Sequence, residues 1–429
     1  MSNPRLLSRF LEALPRLRRR FPQIDKDIRG NKRIHLNSGA GTLTVDTAAR
    51  AMNEAATWLN SLPGEVYPAE ITTKDFHWTI RGIAADFLNA PRPEEISFHA
   101  STSQSILNLA LSMRGLIRGR NNLVVTDLDH MANVSPWESV GGKWWGAEVR
   151  RARITEDGRL DGDHLLSLVD PKTALLAVTL ASNSVGTIVP LEEIIRKVRK
   201  KSPSCLVCVD AVHHALHGPI DVQALDCDFL AVSGYKIFGP VLGVLWGKKD
   251  VLDRLTPFRV ETGKNETPLK FEQGSLNNAA LASLGAALQY LLWVAGEVEP
   301  GAPPEEERPA RFRRAMTAIS TYEQEMSRMV LEALAAFDAT KIKFFGIIEP
   351  AERSRRDPTF AFEVTGRSPA EVKKFLWESR GIQVADGNHY SAVFYRHLRK
   401  DSVCRASFAH YISLEETREF LESLAELSA

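Results

Sequence analysis

Between residues 95 and 250, short apolar and β-branched runs alternate with segments of helical periodicity, and this rhythm leaves few folds open. Glu95 to His99, Asn122 to Thr126, Val149 to Ile154, Ala174 to Leu180, Cys205 to Val209, Phe229 to Ser233 and Gly243 to Trp246 each read as a strand. Several are apolar throughout, as strands covered on both faces must be. The pattern predicts the α/β class: an open, mostly parallel seven-stranded sheet wrapped by helices. In such a sheet a ligand sits beyond the carboxyl ends of the strands.

The rest of the chain divides around this unit. Residues 1–30 read as a leading helical segment, 31–296 as the large α/β domain and 297–429 as a small α+β domain. The boundary is the Pro-, Gly- and Glu-rich stretch Gly296 to Pro309. Beyond it the sequence predicts a helix over about 310–337, strands at Lys343 to Ile347, Thr359 to Val364 and Val403 to Phe408, and a helix over Pro369 to Ser379. Ser413-Leu-Glu-Glu416 has the form of a capping box opening a closing helix. Leucines 281, 284, 288 and 291 recur at helical spacing in the long uncharged stretch Asn277 to Gly296, which reads as a core helix and not a membrane span.

Charge narrows the partners. Lys and Arg number 54 against 53 Asp and Glu, a net charge of +1, which gives no reason to expect nucleic acid or an anionic membrane and favours a small-molecule ligand. The four cysteines, Cys205, Cys208, Cys227 and Cys404, are too few and too strand-bound for a disulfide framework, so a reducing compartment, the cytoplasm, is expected. Cys205-Leu-Val-Cys208 has metal spacing but lies in an apolar run without a second ligand pair, and no metal is expected. The Arg-rich N-terminus contains Glu12 and lacks an apolar signal region, which favours an ordinary helix over a transit peptide.

Chemistry concentrates at the strand ends. Lys236 follows the run Phe229 to Ser233 and precedes Gly239-Pro240, and a desolvated lysine there can attack an aldehyde. Asp210 closes the run Cys205 to Val209, twenty-six residues earlier. Phe98-His-Ala-Ser-Thr-Ser-Gln104 puts Ser101 and Thr102 between a strand and a helix, where backbone amides face an anion; read alone it is a Ser/Thr N-cap. Ser233 is a further donor. An amine for an aldehyde, a buried carboxylate for a protonated ring nitrogen and a phosphate cradle are together the requirements of pyridoxal 5'-phosphate.

The chain resembles the class V aminotransferase superfamily, of pyridoxal phosphate fold type I, and in particular its cysteine desulfurase-like proteins. The likeness runs from His35-Leu-Asn-Ser-Gly39 to Arg405-Ala-Ser407, with the motifs in family order. It implies that His130, in Thr126-Asp-Leu-Asp-His130, lies over the cofactor ring and is catalytic, and that Asn183 reaches the cofactor hydroxyl or the substrate carboxylate. His213 stands three residues after Asp210, where desulfurases usually carry Gln, and Tyr235 stands where they often carry His. The same resemblance gives His213 to the ring hydroxyl, Tyr235 to the phosphate, and Arg405 to the substrate carboxylate. Ser275, in Phe271-Glu-Gln-Gly-Ser275, resembles the residue that a neighbouring subunit lends to the phosphate, which implies a homodimer with shared active sites.

One departure bears on the reaction. Where desulfurases carry the sulfur-accepting cysteine, Val384-Ala-Asp-Gly-Asn-His-Tyr-Ser391 has Tyr390 or Ser391. Cys404 should point to the opposite face of its strand from Arg405. Chemistry at Cα survives: Lys236 removes the Cα proton of a bound L-amino acid, and a leaving group on Cβ departs. The expectation is a β-eliminating C–S lyase on cysteine or an S-substituted cysteine. The alternatives are an aminotransferase or an epimerase or racemase, with Tyr390 as an acid, and an inactive cofactor-binding scaffold subunit.

Overall fold

The computed structural model describes residues 3–117, 122–301, 306–334 and 336–428. The connection predicted at 296–309 therefore falls in part, at 302–305, outside the described residues, as does residue 335 of the helix predicted over 310–337.

All seven predicted strands form one sheet: β2 (Ile96–His99), β3 (Asn122–Thr126), β4 (Glu148–Ala152), β5 (Thr173–Thr179), β6 (Leu206–Asp210), β7 (Phe229–Ser233) and β8 (Gly243–Gly247), after a short β1 (Ile34–His35) that belongs elsewhere. Their order is β2-β8-β7-β6-β5-β3-β4. Only β8 runs against its neighbours, pairing antiparallel with β2 and β7. Along each central strand alternate residues feed opposite faces: Val124, Leu176, Val178, Val207, Val209, Leu230 and Val232 pack on one side. Leu123, Val125, Leu175, Ala177, Cys208, Phe229 and Ala231 pack on the other. Two buried faces explain why these strands read as continuous apolar runs.

The second sheet is antiparallel, in the order β12-β13-β10-β9, with β9 at Ile342–Phe345, β10 at Thr359–Val364, β12 at Ala385–Gly387 and β13 at Val403–Ser407. β11 (Ile382–Gln383) pairs in parallel with β1, which ties the start of the chain to its end. The neighbouring segment continues the link, because Ser38 Oγ donates to the Ser407 carbonyl at 2.9 Å.

Helices fasten the two sheets together. The Arg308–Leu334 helix packs on the Asn278–Val298 helix and on the closing Leu414–Ser428 helix. Asn278–Val298 is long and apolar enough to cross a membrane, yet 67% of that window is buried inside the fold. The leading helix Pro4–Arg18 docks by its apolar face, with Phe10 stacked on Tyr322 at 4.6 Å. The predicted capping box is present: Ser413 N donates to Glu416 Oε2 at 2.7 Å and Glu416 N donates to Ser413 Oγ at 3.1 Å.

Candidate active site

The carboxyl ends of β5, β6 and β7 open into a cavity of about 1200 Å³. Every residue expected to be catalytic or to hold cofactor or substrate lines it except Ser275, and Ser391 and Cys404 do not.

Asp210 and Lys236 reach the cavity from adjacent parallel strands, since Asp210 pairs with Ala231 and one 3-10 turn, Gly234–Lys236, follows Ser233. Lys236 is 6% exposed, and its amine donates to the Gly39 carbonyl. Burial and then the Arg405 guanidinium push its pKa down to about 7, against the pull of Asp210. The amine therefore holds a free lone pair over much of the neutral range, as a nucleophile requires. Asp210 Oδ1 accepts from Val212 N at 3.0 Å. Burial raises its pKa to about 6, with Val212 N and Lys236 opposing. Among the described residues it has no salt bridge, so it presents a carboxylate to the cavity without a cation bonded to it.

The anion cradle is built by close backbone packing. Ser101 caps the Thr102–Ser112 helix, its Oγ accepting from Gln104 N at 3.2 Å, while Thr102 Oγ1 donates to the Val232 carbonyl at 2.9 Å. The start of β8 lies directly beneath. A Cβ on Gly243 would meet the Ser101 carbonyl carbon at 2.5 Å and Thr102 N at 2.6 Å, so only glycine lets the loop lie there. Ser103, which sequence reasoning left out, also borders the cavity.

His130 is set by a tight turn, in which Asn133 Nδ2 donates to Asp129 Oδ1 at 2.7 Å and Ala132 N donates to His130 Nδ1 at 3.0 Å. Burial, Lys236 and Arg405 push its pKa down to about 4, which leaves the ring neutral with its proton on Nε2. The Tyr390 ring lies 5.3 Å away, tilted by 30°. Buried His213 has neither ring nitrogen bonded. The Tyr235 carbonyl accepts from Thr42 N at 3.1 Å and from Thr42 Oγ1 at 3.0 Å, which pins the turn that carries Lys236.

Arg405 is buried on β13, with Nη1 donating to the Asn183 carbonyl at 2.7 Å, and burial pushes its pKa down to about 10. It remains a cation at neutral pH. The Asn183 side chain is spent on the loop opposite, bonding the His389 carbonyl and the Ser391 hydroxyl. His389 and Tyr390 on that loop both take left-handed backbone, at φ 48° and 58°, and Tyr390 is 73% exposed. Ser275 is exposed and lies away from the cavity of its own chain. Its loop is anchored from inside: Arg81 and Glu272 form a buried ion pair at 2.6 Å, and Phe98 N donates to Glu272 Oε1 at 2.8 Å.

Two signals were beyond sequence reasoning. Gly39, whose carbonyl receives Lys236, comes from a segment 197 residues away. His389, with Nε2 buried and unbonded, sits on a loop that gives no periodic signal.

A nucleophilic lysine and a buried carboxylate at adjacent strand ends, below a helix-capped cradle, define a pyridoxal phosphate enzyme. The chain belongs to the class V aminotransferase family, whose model, aminotransferase class-V, matches residues 34–299 and 313–420. A cysteine desulfurase of Pectobacterium atrosepticum is 30% identical over 432 residues, covering 96% of this chain and 98% of that protein. One from Klebsiella pneumoniae is 30% identical over 434 residues, covering 97% and 98%. The solved apo structure of a cysteine desulfurase from Thermococcus onnurineus NA1 matches with TM-score 0.83 at 25% identity, covering 96% of this chain and 98% of that one. A cysteine desulfurase structure from Escherichia coli shares the fold, with TM-score 0.79 at 24% identity and coverage of 96% and 98%. The cofactor of the family is pyridoxal 5'-phosphate, and the site fits it: the unbonded nitrogens of His213, the unbridged Asp210 and the Gly243 cradle each lack the partner that such a group supplies.

Proposed function

We propose that the chain is a pyridoxal 5'-phosphate-dependent C–S lyase that acts on cysteine or an S-substituted cysteine by β-elimination. The observation that carries this reading is that all four cysteines are buried and none lines the cavity, while the amine and the guanidinium needed for work at Cα both do. Persulfide formation requires a thiol at the cavity; elimination does not.

Lys236, Asp210, His213, His130 and the Ser101–Thr102 cradle, with Ser233 and Tyr235, would hold the cofactor. When bound, it supplies an electron sink that acidifies the substrate Cα–H. Arg405 binds the substrate carboxylate and fixes Cα near Lys236. Lys236 Nζ takes the Cα proton, and the thiolate leaves Cβ. Neutral His130 covers the site without adding a charge. Asn183 acts through the loop it holds.

The exposed Ser275 loop and the exposed apolar side chains Trp58 (78%) and Val66 (87%) support a homodimer in which each subunit completes its partner's cradle. A division near residue 297 into a large cofactor domain and a small C-terminal domain accords with the two sheets.

The test is a panel of cysteine, S-substituted cysteines and ordinary amino acids, with pyruvate, thiol and keto acid followed together. Pyruvate matched by thiol supports the lyase. A keto acid retaining the substrate side chain points to transamination, a cofactor band that Lys236→Ala abolishes but with no product from any substrate points to a cofactor-binding scaffold, and no such band overturns the enzyme reading.

A further inference from the structure

Behind His213, which lines the cavity, the structure holds buried ionisable groups that the reading above leaves unused. His213 lines the cavity, and its ring packs against His217 with centroids 5.1 Å apart. His217 Nδ1 lies 2.8 Å from Glu323 Oε2, on the Arg308–Leu334 helix. Both nitrogens of His213, Nε2 of His217 and Oε1 of Glu323 are buried without a hydrogen-bond partner. Buried polar atoms are seldom left so. Four in one cluster beside a cavity call for a common explanation.

We propose that Glu323, His217 and His213 form a proton-holding chain that opens on the cavity at His213, with His217 and Glu323 as positioning residues. The proposal rests on the reading of this cavity as the cofactor and substrate site.

The chemistry follows from the bonded end. Glu323 fixes the His217 proton on Nδ1, so neutral His217 offers a lone pair at Nε2. His213 then turns an N–H toward His217 and presents its other nitrogen to the cavity as an acceptor. When that nitrogen takes a proton, the N–H facing His217 gives its proton to His217 Nε2. The result is an imidazolium beside the Glu323 carboxylate, and the reverse transfer returns the proton. At His213 one N–H bond forms and one breaks, at His217 one N–H bond forms, and the added proton is the one taken from the cavity. Burial lowers the pKa of His217, but Glu323 and Asp357 outweigh burial and raise it, which suits His217 to storage. Burial also raises Glu323 to about 7, so the pair shares a proton, whereas burial keeps His213 well below the usual range, which suits it to transit.

Other charged groups flank the chain without interrupting it. Asp357, just before β10, comes within 4.8 Å of His213 and His217, but both of its oxygens lie 3.1 Å from His214 Nδ1. Lys236, Arg405 and His214 disfavour a charge on His213, and the buried His410 is near His217.

The test uses the full chain labelled with 15N-histidine, without cofactor, titrated by NMR. In Glu323→Gln the half-titration of His217 should fall by about 1 to 3 pH units, the effect of removing an adjacent carboxylate. The nitrogen shifts of His213 should change with it. In the cofactor-loaded protein kcat should fall roughly 100-fold with KM unchanged, and Glu323→Asp should restore part of it. Unchanged histidine titration in Glu323→Gln overturns the proposal. If that variant does not fold, His217→Gln decides, since His213 shifts identical to wild type overturn it equally. Failure of the wild-type protein to bind pyridoxal phosphate would count against the cavity reading alone, because the spectra need no cofactor.

Discussion

Asn183 and Ser391 are bonded side chain to side chain: the Ser391 hydroxyl donates to Asn183 Oδ1 at 2.8 Å, and Asn183 Nδ2 donates to the His389 carbonyl at 2.8 Å. One amide thus staples a loop that carries two left-handed residues. Asn183→Ala removes both bonds, a loss of about 1 to 3 kcal/mol at roughly 0.5–1.5 kcal/mol each. The loop should then become a protease site near residue 389, with KM raised about tenfold or more. Limited proteolysis with mass mapping checks it, and an uncut loop would return Asn183 to direct ligand contact.

Arg405→Ala should raise KM for an α-amino acid strongly while the cofactor still binds, since a charge-assisted bond to a carboxylate contributes roughly 1.5 to 3 kcal/mol. Steady-state kinetics with an amino acid and its decarboxylated amine separate the effects. The amine should discriminate little between wild type and variant.

Gly243→Ala should weaken cofactor binding more than it lowers stability. The added methyl meets backbone atoms of Ser101 and Thr102 and no flexible side chain, so the cradle itself must move. Equilibrium dialysis of pyridoxal phosphate beside thermal melts of the cofactor-free variant gives the comparison.

The pH dependence of cofactor-free stability follows from Lys236. Its folded pKa of about 7 lies below the ordinary 10.5, so between these values the unfolded chain binds more protons and stability rises with pH. Below about pH 7 both states carry the charge and the full burial penalty remains. Asp210, raised from 3.8 to about 6, acts in the lower window: there the folded state binds more protons, and stability falls as pH climbs through it. Melting temperatures of wild type and Lys236→Met should therefore converge from pH 7 toward 10, with wild type the lower at pH 7. Parallel curves would contradict a charged, buried amine.

Tyr390→Phe should slow turnover if the phenol moves a proton, with KM little changed. Pre-steady-state release of thiol measures it directly, and full activity would leave Tyr390 as a wall beside His130.

The central sheet was legible because its determinants are local. Phe229–Ser233 and Asn122–Thr126 have the predicted bounds, and the others end within about two residues of them, since a strand buried on both faces announces itself by composition. The amine and the carboxylate were legible for a related reason: each interrupts such a run at its end. What the sequence hid depends on distant pairing. β1, β11 and β12 are two or three residues long and exist only because another part of the chain lies alongside. The bond from Lys236 to Gly39, the staple at Asn183 and the contact of His217 with Glu323 likewise join segments whose nearness is a product of folding.

The buried Arg81–Glu272 pair gives the Ser275 loop a stiffness set from within. Most conformational freedom of such a segment is surrendered when the monomer folds, so a surface receiving Ser275 meets a pre-shaped projection. Docking it then costs little ordering entropy. Rigidity purchased in the interior of one molecule becomes affinity at its outer face.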